Sequence, residues 1–326
     1  MLEFKVSPDA AGQRLDKFVR RVLKDVPLSH VYKMLRTRKV RVNGARGHAE
    51  QVLGEGDVVA IRGDEEKLAG AASPAAAPKG ERRARGPAFG VLYEDEHLLA
   101  VDKPAGLPVH PTARYSAHTF TTLARARFPD RKVDPAHRID RETSGVLACG
   151  CAPEHTGALK RSFARGEAHK TYLALVEGAP EGDAFAVDAP LALNHASTVR
   201  VRMHVDPSGL PSRTRFEVIG RRREPGGAPI SLVACYPETG RQHQIRAHLL
   251  HAGLPMVGDK IYGPDEAIFD RFTRREMTDA DRVRLRLARH ALHAWRLELP
   301  HPVTREKVRL EAPLPEDIRM LWDACR

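Results

Sequence analysis

The 326-residue chain has only four cysteines, Cys149, Cys151, Cys235 and Cys325, too few and too unevenly spaced for a disulfide framework. A reducing setting is therefore expected. No apolar run approaches the roughly 18 residues that a bilayer span needs. The opening MLEFKVSPDA has neither the basic nor the apolar region of an export signal. Together these absences predict a cytoplasmic protein with no membrane association. Neither HExxH nor a paired CxxC occurs, so Cys149-x-Cys151 and the group His243, His248 and His251 read as structural and no metal is expected. Acidic residues are also in deficit: 42 Asp and Glu stand against 53 Lys and Arg, a net charge of +11. Such a surplus draws polyanions, because each phosphate neutralised releases counterions, and nucleic acid becomes the leading partner.

What is present suffices for about two domains, with 42% hydrophobic residues to fill their cores. Residues 64–87, DEEKLAGAASPAAAPKGERRARGP, hold almost nothing that could pack and are expected to be a flexible linker. They separate a unit at 1–63 from one at 88–326. In the first unit Leu15, Phe18, Val19, Val22 and Leu23 recur at helical spacing. A second helix is predicted from an N-cap at Ser29, burying Val31, Met34 and Leu35. The strand-like VRVNG follows, with a turn at Asn43-Gly44, and VVAIR reads as a further strand. Residues 1–63 carry 13 basic against 7 acidic side chains, so about half of the net charge sits in a fifth of the chain. Two short helices, a small sheet and basic residues gathered on the second helix resemble the S4 RNA-binding domain over residues 12–62. That resemblance implies RNA contact through Arg20, Arg21, Lys33, Arg36, Arg38, Lys39 and Arg41.

The second unit mixes strands and helices without a regular alternation. VLYEDEHLLAVDKP reads as two strands about an acidic turn, and KTYLALVEG and ISLVACYP as buried strands. The alternation of Trp295, Leu297 and Leu299 reads as another, with KVRLEA as its hairpin partner. This order predicts an α+β fold on a mixed, mostly antiparallel sheet and argues against a doubly wound parallel one.

Three segments carry candidate chemistry. HRIDRETSG sets one carboxylate, Asp140, between Arg138 and Arg141; taken alone, that pattern is usually a surface ion pair. ETGRQHQIRAHL sets Gly240 before a helical pattern with Ile245 and Leu249 inward and Arg246 elsewhere. In KTYLALVEG the hydroxyl of Tyr172 needs a partner or a solvent-lined pocket.

With DKPAGLPVHP, PSRTRF and LPMVGDKIYG in register, these segments resemble the RluA-type RNA pseudouridine synthases across residues 88–326. The N-terminal unit with PSRTRF is most similar to the branch acting on large-subunit (23S) ribosomal RNA, with transfer RNA the alternative. The resemblance implies Asp140 as catalytic carboxylate, Tyr172 as active-site tyrosine, Arg246 as the arginine paired with the aspartate, and Arg138 as a residue that flips the target and holds the RNA. It also implies an isomerase that needs no cofactor and works as a monomer. Two other readings fit parts of the chain. A glycoside hydrolase would need a second carboxylate, for which Glu142 has no feature that raises its pKa. An inactive RNA-binding or ribosome-assembly factor would be marked by loss of Asp140, which is present.

Overall fold

A computed structural model describes residues 2–23, 28–62, 89–111, 118–263 and 265–326. The expected linker at 64–87, with its Arg82, Arg83 and Arg85, lies outside them. The described residues fall into two compact units, one formed by residues 2–62 with 111 and 118, and one by 89–110 and 119–326.

The smaller unit runs β1 (Leu2–Lys5), helices Leu15–Val22 and Leu28–Arg36, β2 (Val40–Val42), β3 (Ala45–Arg46) and β4 (Val58–Ile61). Its strands form an antiparallel sheet in the order β1-β4-β2-β3. Leu15, Phe18 and Val19 from the first helix and Val31, Met34 and Leu35 from the second pack with Val40, Val42, Val59 and Ile61. Two details differ from expectation: Val22 is half-buried, and the second helix starts at Leu28, which puts Ser29 inside its first turn. Asn43 and Gly44 both have positive φ, 49° and 78°, the backbone of a two-residue turn that matches strand twist. Arg20, Lys33, Arg36, Arg38, Lys39 and Arg41 are exposed, while Arg21 lies over the Phe18 ring at 5.2 Å. The ion pairs among the unit's described residues instead join Arg14 to Asp16 and Glu50.

The larger unit is built on one ten-stranded sheet. Its strands are β5 (Gly90–Glu94), β6 (Leu98–Lys103), β7 (Asp134–Pro135), β8 (Ser144–Gly150), β9 (His169–Glu177), β10 (Ala184–Asp188), β13 (Arg213–Arg223), β14 (Pro229–Pro237), β15 (Leu292–Pro300) and β16 (Lys307–Glu311). β11 (Leu191–Leu193) and β12 (Met203–Val205) pair separately. The main order is β10-β13-β14-β9-β15-β8-β6-β5, with β7 beside β8 and β16 beside β15. All pairs are antiparallel except β15 with β8, so the sheet is mixed and mostly antiparallel.

β8 is buried along its whole length, which explains its nearly continuous apolar run. Leu147 and Cys149 pack with Phe120 and Ala124 of the Phe120–Arg127 helix. Val146 and Ala148 face the other way, toward Leu159 of the Pro153–Ala164 helix. All four cysteines are buried and free. The long strand β13 was not expected from the sequence. Its buried Thr214 and Phe216 alternating with exposed Arg213, Arg215 and Glu217 give the period-two signal that marks it.

Candidate active site

The HRIDRETSG segment is the approach to β8 and is pinned at nearly every residue. The His137 ring nitrogen Nε2 accepts the Ala148 N–H at 3.1 Å, and burial, with the nearby Lys170 charge, pushes this imidazole down to about 3. Thr143 Oγ1 and Ser144 Oγ bond to His290 and His293 at 2.8 and 3.0 Å. Gly145 has φ +107°, and a Cβ there would run into the Ala294 carbonyl, so only glycine lets β8 lie this close to β15. DKPAGLPVHP supports the same loop: the Lys103 ammonium donates to the carbonyls of Pro104, Leu107 and Arg141 at 3.0, 2.9 and 3.2 Å.

The loop thus presents Asp140 in a cavity of about 700 Å³. Tyr172 on β9 lines it, as do Arg138, His243 and Arg246. Arg246 projects from the Gln244–His251 helix, the one foreseen in ETGRQHQIRAHL. Its Nη1 donates to Asp140 Oδ2 at 2.9 Å. Its Nε and Nη2 grip both oxygens of Asp259 at 2.7 and 2.8 Å. Asp259 is itself held by the N–H groups of Ile261 and Tyr262. A Cβ at the preceding Gly258, φ +74°, would strike the Arg289 carbonyl, so LPMVGDKIYG also depends on a glycine for its path.

The electrostatics follow from this geometry. Burial alone would push the Asp140 carboxyl up, but the neighbouring His243 and Arg246 outweigh it and hold the group at about 2. Asp140 is therefore ionised at neutral pH. Burial, then the charge of Asp140, pushes the Tyr172 phenol well above its ordinary value, so at neutral pH it keeps its proton. No hydrogen-bond partner for that hydroxyl occurs among the described residues, and the cavity answers the need for a solvent-lined pocket. Arg138 is exposed at the cavity wall. Glu142, by contrast, does not line the cavity. Its oxygens are taken by Lys260 and Arg141, both at 2.9 Å, and its carboxyl is lowered despite burial. It is not placed as the second carboxylate of a hydrolase.

Two contributors, Tyr262 and Lys170, were not singled out from sequence, and a third, His243, was read there as structural. His243 caps the helix in a left-handed conformation, φ 55°, a stretch that sequence periodicity cannot flag. Its Nε2 lies 3.8 Å from Asp140 Oδ2, and its Nδ1 lies 3.0 Å from the Tyr262 hydroxyl. That hydroxyl accepts the Met203 N–H at 2.7 Å, which leaves its own hydrogen for Nδ1 and directs the His243 Nε2–H at Asp140. Lys170, two residues before Tyr172, lines the same cavity; strand alternation could have placed it there. Among the described residues no group of three or more His, Cys, Asp or Glu side chains could hold a metal ion, and no helix is long and apolar enough to cross a membrane.

Residues 97–251 match the family described as RNA pseudouridylate synthase, and the chain belongs to that family; it is a pseudouridine synthase, an isomerase. Over 98% of its length it is 37% identical to ribosomal large subunit pseudouridine synthase C of Escherichia coli (strain K12), of which the match covers 95%. It is 34% identical to the protein of the same name from Vibrio vulnificus (strain CMCP6), again over 98% of this chain and 95% of the other. The solved structure of human RNA pseudouridylate synthase domain containing 1 superimposes with a TM-score of 0.56 at 27% identity, covering 69% of this chain and 83% of that one.

Proposed function

We propose that the protein converts uridines of large-subunit ribosomal RNA to pseudouridine, with Asp140 as the catalytic carboxylate. The observation that carries this reading is the 2.9 Å contact between Arg246 and Asp140 at the base of the cavity. It keeps a carboxylate ionised in a site partly withdrawn from water, which is what a group that must meet the ribose C1′ requires. The choice of ribosomal RNA rests on the relatives that share nearly the whole chain.

The reaction breaks the N1–C1′ bond, turns the base and joins C5 to C1′. The proton lost from C5 is balanced by one gained at N1, so no atom enters or leaves and no cofactor is called for. Asp140 meets C1′ as the bond breaks. Tyr172 borders the base and, as a phenol, supplies a hydrogen-bond donor. Arg138, at the exposed wall, helps draw the uridine out of its stack and holds the RNA; unstacking costs a few kcal/mol that such contacts offset. Residues 2–62 act as an S4-type RNA-binding unit. Support comes from its fold of two helices on a small sheet and from six exposed basic side chains free of carboxylate partners among the described residues. The protein acts as a cytoplasmic monomer.

Mapping pseudouridines in all RNAs of cells with and without this protein tests the reading. Sites in large-subunit ribosomal RNA vanish if it holds. Loss of a transfer RNA site alone moves the substrate to that class, and no change in any RNA returns the inactive binding factor.

A further inference from the structure

We propose that Lys170 is a further catalytic residue, whose ammonium group holds the uracil anion released when the N1–C1′ bond breaks; this rests on the pseudouridine-forming reading of the same cavity.

Arg246 spends Nε and Nη2 on Asp259 and Nη1 on Asp140, so one cation serves two carboxylates. His243 adds no charge at neutral pH, since burial and the adjacent Arg246 push it down to about 4. Glu142 and Lys260 neutralise one another away from the cavity. Arg246 is thus the cation hydrogen-bonded to Asp140, while the buried Lys103, which also feels the Asp140 charge, is spent on the carbonyls of Pro104, Leu107 and Arg141. When the N1–C1′ bond breaks, its electron pair stays on N1 while Asp140 meets C1′. The negative charge moves from the carboxylate to the base, where it spreads over N1, O2 and O4. When C5 then joins C1′, the bond from Asp140 to C1′ breaks and its electron pair restores the carboxylate; C5 loses its proton, N1 takes one up, and the base is neutral again.

A cation speeds such a step only if it interacts more strongly after the charge has moved. Lys170 is placed for that. It stands two residues before Tyr172 on β9, hence on the same strand face, and both line the cavity. Its Nζ donates to the Thr239 carbonyl at 3.1 Å, which fixes the ammonium at the wall and leaves two N–H groups to offer. It forms no ion pair with Asp140 or any other carboxylate among the described residues, so it is not already spent on the ground state. It is half-buried, and burial lowers its pKa with no acidic neighbour to offset the cost. The other basic side chains of the wall, Arg138, Arg165 and Arg241, are exposed, where solvent and salt screen them.

Single-turnover conversion at saturating enzyme, with Lys170→Gln and Lys170→Arg, tests this. Gln keeps a donor for the Thr239 carbonyl and loses the charge; Arg keeps the charge. Lys170→Gln is expected to slow the chemical step by about 10²-fold, with a much smaller change in RNA affinity, and Lys170→Arg to recover most of the rate. A target 5-fluorouridine, whose base is the better leaving anion, should shrink the Gln deficit when its consumption is followed. A loss confined to affinity would make Lys170 a phosphate contact and overturn the proposal. Equal deficits on both substrates, or an Arg variant as slow as Gln, would also overturn it. A wild-type protein that makes no pseudouridine would instead remove the functional reading beneath it.

Discussion

One guanidinium serves two carboxylates: Arg246 reaches Asp140 through Nη1 at 2.9 Å and clasps Asp259 through Nε and Nη2 at 2.7 and 2.8 Å. Asp259 is fully buried and fixes the plane of the guanidinium, so the position of Asp140 depends on a residue that never touches the cavity. Removing one member of a buried pair leaves an uncompensated charge, which typically costs about 3–5 kcal/mol. Asp259→Ala is expected to lower the unfolding free energy by that order. Misplacing Arg246 should also reduce turnover on the order of 10²-fold. Denaturant unfolding and steady-state conversion measure the two effects.

Asp140 also sets a pH dependence with a definite sign. Its carboxyl is held at about 2 in the folded protein, below the ordinary 3.8. It therefore adds stability at pH above about 4, and that contribution is lost as pH falls toward 2. The stability difference between wild type and Asp140→Asn, expected to include roughly 2 kcal/mol from this linkage, should be flat from pH 5 to 8 and shrink between about 4 and 2. Urea unfolding across that range checks it.

Gly145 is held at φ +107° against the Ala294 carbonyl, where β8 and β15 run parallel. Gly145→Ala combines strain at positive φ with a backbone clash beside the Asp140 loop. A loss of about 3 kcal/mol or more is expected, read as a lowered melting temperature with reduced turnover in the fraction that folds.

In the smaller unit, Lys33, Arg36 and Arg38 are exposed cations without carboxylate partners among the described residues. Reversing all three to Glu in the full-length chain should weaken RNA binding. It should also flatten the dependence of log K on log salt by about 0.7 to 0.9 for each phosphate no longer neutralised. An unchanged slope would remove these residues from the RNA surface.

Part of this site was legible because several segments in register resemble a known family; taken alone, the Asp140 pattern read as a surface ion pair. Asp140, Tyr172, Arg246 and Arg138 could each be named from their segments, and the structure gathers all four on one cavity. The buried support could not be read in the same way. Asp259 lies within LPMVGDKIYG, but only the fold brings it against Arg246, 13 residues earlier in the chain. His243 sits at a left-handed helix entry, and Tyr262 reaches it through a hydroxyl whose partner belongs to β12. Lys170 was within reach of strand alternation alone, and was missed because Tyr172 absorbed the meaning of its segment. The helices at Ala267–Arg274 and Asp279–Leu285 escaped as well, being short and rich in charge.

Whether Asp140 is the catalytic carboxylate is decided by pseudouridine formation with purified wild type and Asp140→Asn on transcribed large-subunit ribosomal RNA, with RNA affinity measured alongside. Asn keeps the side chain's shape and removes the charge that Arg246 holds in place. Wild type is expected to form pseudouridine, and the variant to bind the RNA but form none above background. Pseudouridine formed by the variant at a rate near wild type would contradict the assignment.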